Sequence, residues 1–199
     1  MGELHVNMHM TLDGVIQANG GPTDQDAGYP HPGWEWAYAD DESGARLMEI
    51  IEDADALLLG RVTYDIFRAY WPGKQDRIGI AFDRVPKYVA SRGAPALSWE
   101  GTTQLRDAAV EVRALRERHR QIQMWGSADL LRTLFAEGLV DVVNLFTYPI
   151  ALGVGKRLFP EGTAPTRFAL EEPPQAYPAG SMLLRYRRLE GAPETMPAV

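Results

Sequence analysis

The feature that most constrains the fold is an alternation of short apolar runs with segments of helical period through the middle of the chain. The apolar runs cover residues 56–59, 87–90, 122–125 and 142–148. Residues 56–59 form a continuous apolar run, typical of a strand buried on both faces of a parallel sheet, and the other three segments are mostly apolar. Together with the helical segments between them, they predict an α/β fold with a mainly parallel central sheet and helices on both faces.

The ends of the chain add antiparallel character. Residues 4–10 alternate apolar and polar side chains, which predicts a strand with one buried face. Segments 167–171 and 182–188 alternate in the same way and predict an antiparallel pair at the C-terminal edge. We expect one domain over residues 1–190 and a disordered tail over 191–199. The predicted helices are 43–54, 63–70 with Thr63 as its cap, 78–85, 104–119, and 128–137 with Ser127 as its cap.

Composition excludes several classes of protein. The 199 residues include 20 basic and 27 acidic side chains, a formal net charge of −7, which argues against a protein that coats nucleic acid or an anionic membrane. There is no cysteine, so disulfides, thiolate nucleophiles and cysteine-ligated metals are excluded. Nowhere do about 18 apolar residues occur in succession. The sequence therefore predicts a cytoplasmic protein with no membrane or nucleic-acid partner.

Three of the predicted strands end in similar turns. The turns are Gly60-Arg61-Val62-Thr63, Ser91-Arg92 and Gly126-Ser127-Ala128-Asp129. Because the carboxyl ends of parallel strands meet at one edge of a sheet, where helix amino ends present unpaired N–H groups, we expect the three turns to lie together. Glycine lets a phosphate approach the backbone, and arginine offers a planar fork to it. Any one turn alone is better explained as an ordinary turn and cap, but the three together favour a phosphate-binding site.

Other polar residues leave two interpretations open. Asp13 follows the first strand and either faces a pocket or belongs to an ordinary Asp-Gly turn. The region 20–36 has no clear period, and its tryptophans, including Trp36, either close over a flat ligand or fill the core. Lys156 either binds a substrate phosphate or lies in a surface turn. His5 and His9 are about 13 Å apart on a strand, too far to share a metal, and we expect both to face solvent. No metal site is predicted.

The order of these motifs resembles a known family. The series Leu12-Asp13-Gly14, Leu58-Leu59-Gly60-Arg61-Val62-Thr63-Tyr64, Val89-Ala90-Ser91-Arg92, Trp125-Gly126-Ser127-Ala128-Asp129-Leu130 and Pro149 to Phe159 resembles the dihydrofolate-reductase-like superfamily. Within it, the chain is most similar to the C-terminal reductase domain of the bifunctional riboflavin-biosynthesis deaminase/reductase and its stand-alone relatives. The resemblance runs from about residue 3 to 188. It implies a three-layer dihydrofolate-reductase-like sandwich and a homodimer.

The resemblance also implies NADPH as the cofactor. By analogy, Gly60, Arg61 and Thr63 would hold cofactor phosphate, and Ser91 and Arg92 would meet the adenosine 2′-phosphate. The central glycine turn would pass under the pyrophosphate and nicotinamide; its residues are Gly126, Ser127, Ala128, Asp129 and Leu130. Asp13 carries over to the substrate side, as a catalytic residue that gives a proton directly or through a water, and Trp36 and Lys156 are further candidates for substrate contact.

The implied function is hydride transfer from NADPH to a C=N or C=O bond of a small heterocyclic or sugar-linked substrate, as in 5-amino-6-(5-phosphoribosylamino)uracil reductase or dihydrofolate reductase. One departure concerns the buried carboxylate expected for folate reduction. Glu35, Asp40 and Asp41 lie near the expected position, but the sequence places none of them convincingly. The alternative is a nucleotide-binding regulatory or ligand-sequestering module without turnover.

Overall fold

A computed structural model describes residues 1–191 as a single mixed sheet flanked by helices. The strands are β1 (Glu3–Thr11), β2 (Ala56–Gly60), β3 (Lys87–Ala90), β4 (Thr102–Leu105), β5 (Gln121–Met124), β6 (Val142–Tyr148), β7 (Arg167–Leu170), β8 (Gln175–Ala176) and β9 (Met182–Leu189). The helices are α1 (Asp41–Glu52), α2 (Arg61–Tyr70), α3 (Arg77–Arg84), α4 (Ala108–Leu115) and α5 (Ala128–Ala136). Short 3-10 turns cover Asp24–Asp26 and Trp34–Tyr38.

The sheet confirms the predicted mixture of strand directions. Its order is β4-β3-β2-β5-β1-β6-β9-β7, with β8 paired to β9. All pairs from β4 to β6 are parallel, whereas β9 runs antiparallel to β6, β7 and β8. No helix within residues 1–191 is long and apolar enough to cross a membrane.

Helices cover both faces of the sheet, as the sequence predicts. On one face, Leu4 and Val6 of β1 belong to a core cluster that includes Val112 of α4 and Leu131 of α5. On the opposite face, Leu57 and Leu59 of β2 pack in a cluster with residues of α1, α2 and α3: Ile51, Tyr64 and Phe82. Each fully buried side chain of this size contributes about 1.5–3 kcal/mol relative to an exposed one.

The predicted helix over 104–119 is partly wrong. Residues 102–105 form strand β4, and α4 begins only at Ala108, where the Asp107 carboxylate accepts a hydrogen bond from the Val110 amide. Leu105 fits both periods, since it is buried at the end of β4 and precedes the apolar positions of α4. Residues 102–105 form a strand and not the first turn of a helix because they pair with β3. The short strand β8 was also not predicted.

Two smaller expectations are wrong as well. Helix α2 begins at Arg61 with Gly60 as its N-cap, so Thr63 lies inside the helix and does not cap it. His5 and His9 do not face solvent: His5 is 3% exposed and the His9 side chain 13% exposed. The Glu35 carboxylate in the loop before α1 contacts His9, and His5 contacts Glu3. Of the tail predicted over 191–199, all but Gly191 lies outside the described residues.

Candidate active site

The three turns singled out in the sequence lie at one edge of the sheet. Gly60, the last residue of β2, is directly opposite Ala90, the last residue of β3, and Ser91 follows at once. On the other side of β2, the Gly60 amide donates to the Gly126 carbonyl at 3.0 Å. We call Gly60, Arg61, Ser91, Arg92, Gly126 and Ser127 the strand-end site.

Close packing explains both glycines of the site. A Cβ on Gly60 would stand 2.3 Å from Ser127 Oγ and 2.9 Å from the Ser127 backbone nitrogen. Gly126 has a φ of +126°, and a Cβ there would lie 2.7 Å from Oγ1 of Thr63. The peptide bond between Gly126 and Ser127 is cis. Thr63 therefore belongs to the packing between turns, and the two backbones meet without side chains between them.

The two helices that begin at this edge have no side-chain caps. The N-cap of α2 is Gly60, which has no side chain, and the N-cap of α5 is Ser127, whose hydroxyl makes no capping hydrogen bond. Ser127 thus holds the predicted cap position without the predicted capping bond. The first N–H groups of both helices have no intrahelical partner, and such groups, with the helix dipole, attract anions.

The two arginines of the site differ in their partners. Arg61 Nη1 lies 2.5 Å from Oδ2 of Asp65, which also pairs with Arg68. Arg92 is exposed, and no acidic group within residues 1–191 pairs with it. Ser91 is fixed through its backbone, because the Gln104 side-chain amide donates to its carbonyl at 2.7 Å. Arg92 is consequently the cation most available to a bound phosphate.

Three further residues of the sequence prediction lie in the first turn of α5. Ala128 is half-buried, Asp129 is exposed, and Leu130 is 8% exposed with its side chain in the core. Leu130 can therefore offer only its backbone to a ligand at this edge. Asp129 places a negative side chain in the first turn of α5, so the groups of this turn that suit an anion are its N–H groups.

Asp13 is used by the fold itself. Its carboxylate accepts hydrogen bonds from the Thr11 hydroxyl at 2.6 Å and from the Gly153 amide at 2.8 Å, and the Arg157 guanidinium lies 3.6 Å away. The Thr11 hydroxyl foremost, followed by the Gly153 and Leu152 amides, lowers the pKa of Asp13 to about 2 against the opposing effect of burial. A carboxyl that is ionised near neutral pH and already hydrogen-bonded is a poor proton donor. The geometry favours the turn interpretation over the catalytic one.

Trp36 and Lys156 lie on the loops around Asp13 rather than at the strand-end site. Trp36 is 67% exposed, and its Nε1 donates to the carbonyl of Gly20. Lys156 is exposed, and its backbone bonds to Ile16 and Gln17. Trp34, by contrast, is 6% exposed and packs on Tyr148, so it belongs to the core, whereas contact of Trp36 with a ligand stays a prediction.

One group of polar residues was not predicted to act together. His9 Nδ1 lies 2.7 Å from Oε2 of Glu35 and 2.8 Å from the hydroxyl of Tyr148, and Asn19 donates to the same Glu35 oxygen at 2.7 Å. We call these four residues the His9 cluster. Glu35 is one of the three carboxylates that the sequence could not place convincingly. Its position between Trp34 and Trp36 was the only local indication of a buried site.

Burial and hydrogen bonding act in opposite directions on the cluster. Burial raises the pKa of Glu35, but the charge and hydrogen bond of His9 and the Asn19 amide outweigh it, so the pKa lies below its ordinary value. Burial, followed by the charge of Glu35, raises the pKa of Tyr148. Near neutral pH the cluster therefore contains a carboxylate and a neutral phenol.

Comparison with known proteins identifies the family. The family model of the RibD C-terminal domain matches residues 3–174. The uncharacterized protein YyaP of Bacillus subtilis (strain 168) is 27% identical over 160 residues, 77% of this chain and 78% of that protein.

Two solved structures share the fold. A putative riboflavin biosynthesis protein from Shewanella sp. PV-4 has a TM-score of 0.66 at 19% identity, covering 94% of this chain and 99% of that one. Dihydrofolate reductase from Enterococcus faecalis, solved with NADP(H), has a TM-score of 0.61 at 14% identity, covering 95% of this chain and 98% of that one. The resemblance seen in the sequence is confirmed: the chain has the dihydrofolate-reductase-like fold and belongs to the RibD C-terminal domain family.

Proposed function

We propose that this protein is an NADPH-dependent reductase that transfers a hydride to a C=N or C=O bond of a small heterocyclic or sugar-linked substrate. The observation that carries the proposal is the strand-end site, where three turns meet beside two helix amino ends without side-chain caps. Membership of the RibD C-terminal domain family supports the reductase class.

The residues of the site fit a dinucleotide with an extra phosphate. The first N–H groups of α2 and α5 suit the pyrophosphate, because both helices begin at one edge of the sheet and neither has a side-chain cap. Arg92, exposed and without an acidic partner among the described residues, suits the 2′-phosphate, with the Ser91 hydroxyl beside it. Arg61 would add charge once it is drawn from Asp65.

NADPH, when bound, supplies the hydride, and the protein positions the reactants and excludes water. The side of β1 that carries His9 is the natural place for the substrate, because Trp125, which contacts that histidine ring at a centroid distance of 6.5 Å, comes directly before the Gly126 turn. Lys156 and Trp36 border the loops over this region and remain candidates for substrate contact.

The test is a calorimetric titration with NADPH and NADH, followed by an NADPH-oxidation assay with pteridine, pyrimidine and aldehyde substrates. We expect NADPH to bind more tightly than NADH and at least one substrate class to be reduced. Binding without oxidation of any substrate would favour the alternative, a nucleotide-binding regulatory or sequestering module. Absence of NADPH binding would refute the proposal.

A further inference from the structure

The His9 ring makes two short contacts through a single nitrogen. Nδ1 lies within hydrogen-bond distance of both the Glu35 carboxylate and the Tyr148 hydroxyl. A ring nitrogen either carries a proton and donates, or lacks one and accepts. If Nδ1 lacked a proton, its lone pair would face the carboxylate oxygen 2.7 Å away, which is repulsive while Glu35 is ionised. The ionised carboxylate therefore selects the form with the proton on Nδ1.

Selection of this tautomer determines which nitrogen exchanges protons. With Nδ1–H directed at Glu35, the imidazole gains or releases its second proton at Nε2. No group in residues 1–191 forms a hydrogen bond with that nitrogen. The ring is held on its faces by Phe146, with centroids 5.0 Å apart, and by Tyr148, at 5.7 Å. Packing thus fixes the ring while leaving Nε2 for another partner.

The surroundings of the ring indicate where that partner would lie. Trp125 Nε1 is buried and has no hydrogen-bond acceptor among the described residues. An unsatisfied buried donor costs about 1–3 kcal/mol, which an acceptor on a ligand would offset. Trp125 lies between the His9 ring and the Gly126 turn of the strand-end site. The cluster and the proposed cofactor site are therefore adjacent.

The charged and titratable groups near the ring come from several elements. Glu35 faces it from the 3-10 turn and Tyr148 from β6. Tyr38 packs on Tyr148 at 6.1 Å, and the charge of Asp40 acts on the Tyr148 hydroxyl. Within the described residues, Glu35 is the one acidic group in contact with His9.

We propose that His9 is the proton donor of the reduction, acting through Nε2, and that Glu35 is the positioning residue that fixes its tautomer. This inference rests on the proposed function. The hydride brings two electrons to the substrate carbon and forms a C–H bond. The π pair of the C=N or C=O bond moves to the heteroatom, which takes one proton from Nε2 of the doubly protonated ring and leaves neutral His9 with its remaining proton on Nδ1. Solvent then returns that proton to His9.

A purely structural role for Glu35 gives different expectations. Asn19 also donates to its carboxylate, so Glu35 fastens the loop before α1 to the sheet. If fastening were its whole role, Glu35→Gln would affect stability and ligand affinity but not the rate of the chemical step or its dependence on pH.

The first experiment observes the tautomer directly in protein labelled with ¹⁵N-histidine. In the wild-type protein we expect a protonated Nδ1 and a bare Nε2 for neutral His9, and we expect Glu35→Ala to reverse them because the Tyr148 hydroxyl then donates to Nδ1. Tyr148→Phe should leave the wild-type pattern. His5, whose Nε2 contacts Glu3 at 2.8 Å, is the internal control and should not change. A wild-type His9 with its proton on Nε2 would overturn the proposal.

The same labelled sample tests the placement of the ring without any turnover. Addition of NADP⁺ should shift the His9 Nε2 resonance and leave those of His5 unchanged. If NADP⁺ binds by calorimetry but no His9 resonance moves, the proposed proton donor is wrong while the reductase proposal survives. If NADP⁺ and NADPH both fail to bind, the proposed function is the part that fails.

Kinetics with the substrate found in the oxidation assay complete the test. His9→Gln should lower kcat by about 100-fold or more, the usual contribution of a positioned proton donor. NADPH affinity should stay unchanged. Glu35→Gln should lower kcat and alter the pH profile, with partial rescue in Glu35→Asp. His31→Gln, the same substitution at an exposed histidine of the same loop, is the control and should leave the kcat profile intact. An unchanged kcat in folded His9→Gln would refute the inference.

Discussion

The helix amino ends of this protein fall into two groups. The N-cap residues of α1, α3 and α4 are Asp40, Asp76 and Asp107, and each carboxylate accepts a hydrogen bond from an amide of the first turn. The N-cap residues of α2 and α5 are Gly60 and Ser127, and neither makes such a bond. The capped ends stabilise the fold at their own positions. The uncapped ends meet at one edge of the sheet, where a bound anion could take the place of a cap.

The largest effect should follow from placing a side chain between the uncapped ends. Gly60→Ala sets a Cβ against the Ser127 backbone, and overpacking of this kind costs about 1–3 kcal/mol. We expect a clear drop in the free energy of unfolding and loss of NADPH binding. Gly44→Ala in α1 is the control, since no atom lies within 4 Å of its Cβ; it should be neutral or stabilising. Equal stability of the two variants would show that the turns do not pack as described.

Removing the arginines tests whether the uncapped edge recognises the 2′-phosphate. The double variant Arg61→Ala/Arg92→Ala should lower the affinity for NADPH by about 10–100-fold, since hydrogen bonds to charged groups contribute about 1.5–3 kcal/mol. NADH should be affected far less. Arg77, the first residue of the capped helix α3, is paired with Glu52, and Arg77→Ala is the matched control with no expected change in either affinity. Calorimetry with both nucleotides decides, and equal losses would contradict the 2′-phosphate role.

The capping residues themselves should separate stability from binding. Asp76→Ala removes the bond to the Gly79 amide and should cost about 1 kcal/mol in urea unfolding, with NADPH affinity unchanged. Ser127→Ala should lower the free energy of unfolding by less, because no capping hydrogen bond is lost. It should instead lower the affinity for NADPH. If both variants lose the same stability and neither changes NADPH affinity, the capped and uncapped helix ends do not differ in role.

The smallest effect concerns acid stability, away from both groups of helices. The hydrogen bond from Arg187, opposed by burial, lowers the pKa of Glu3 to about 2 from an ordinary value of 4.5. The ionised form is thus favoured by folding, so its contribution is present above pH 4.5 and is lost as the pH falls toward 2. In Glu3→Gln, the free energy of unfolding should therefore fall less steeply as the pH is lowered over that range. Glu3 is 40% exposed, so the effect should be modest.

Much of the fold was predictable from local sequence. The apolar runs that became β2, β3, β5 and β6 have no competing interpretation, and their order implies a parallel sheet. Strand β4 was missed because its residues join smoothly to the apolar positions of α4. Only pairing with β3, a contact between segments distant in the chain, distinguishes strand from helix there.

Part of the candidate site was likewise predictable from local sequence and part was not. The strand-end turns are contiguous in sequence, so their residues could be named in advance. The His9 cluster joins β1, the loop before α1 and the end of β6, and its separation of 139 residues between His9 and Tyr148 leaves no local pattern. The position of Asp13 after β1 left a pocket residue and an ordinary Asp-Gly turn open, and its catalytic role came from the family resemblance. Sequence does not show that Thr11 and Gly153 already donate hydrogen bonds to its oxygens.

The most direct test of the account is a crystal structure of the protein with NADPH. We expect the pyrophosphate against the amino ends of α2 and α5, the 2′-phosphate beside Ser91 and Arg92, and the nicotinamide toward Trp125 and His9. A nucleotide bound elsewhere, or a strand-end site that excludes NADPH at saturating concentration, would contradict it.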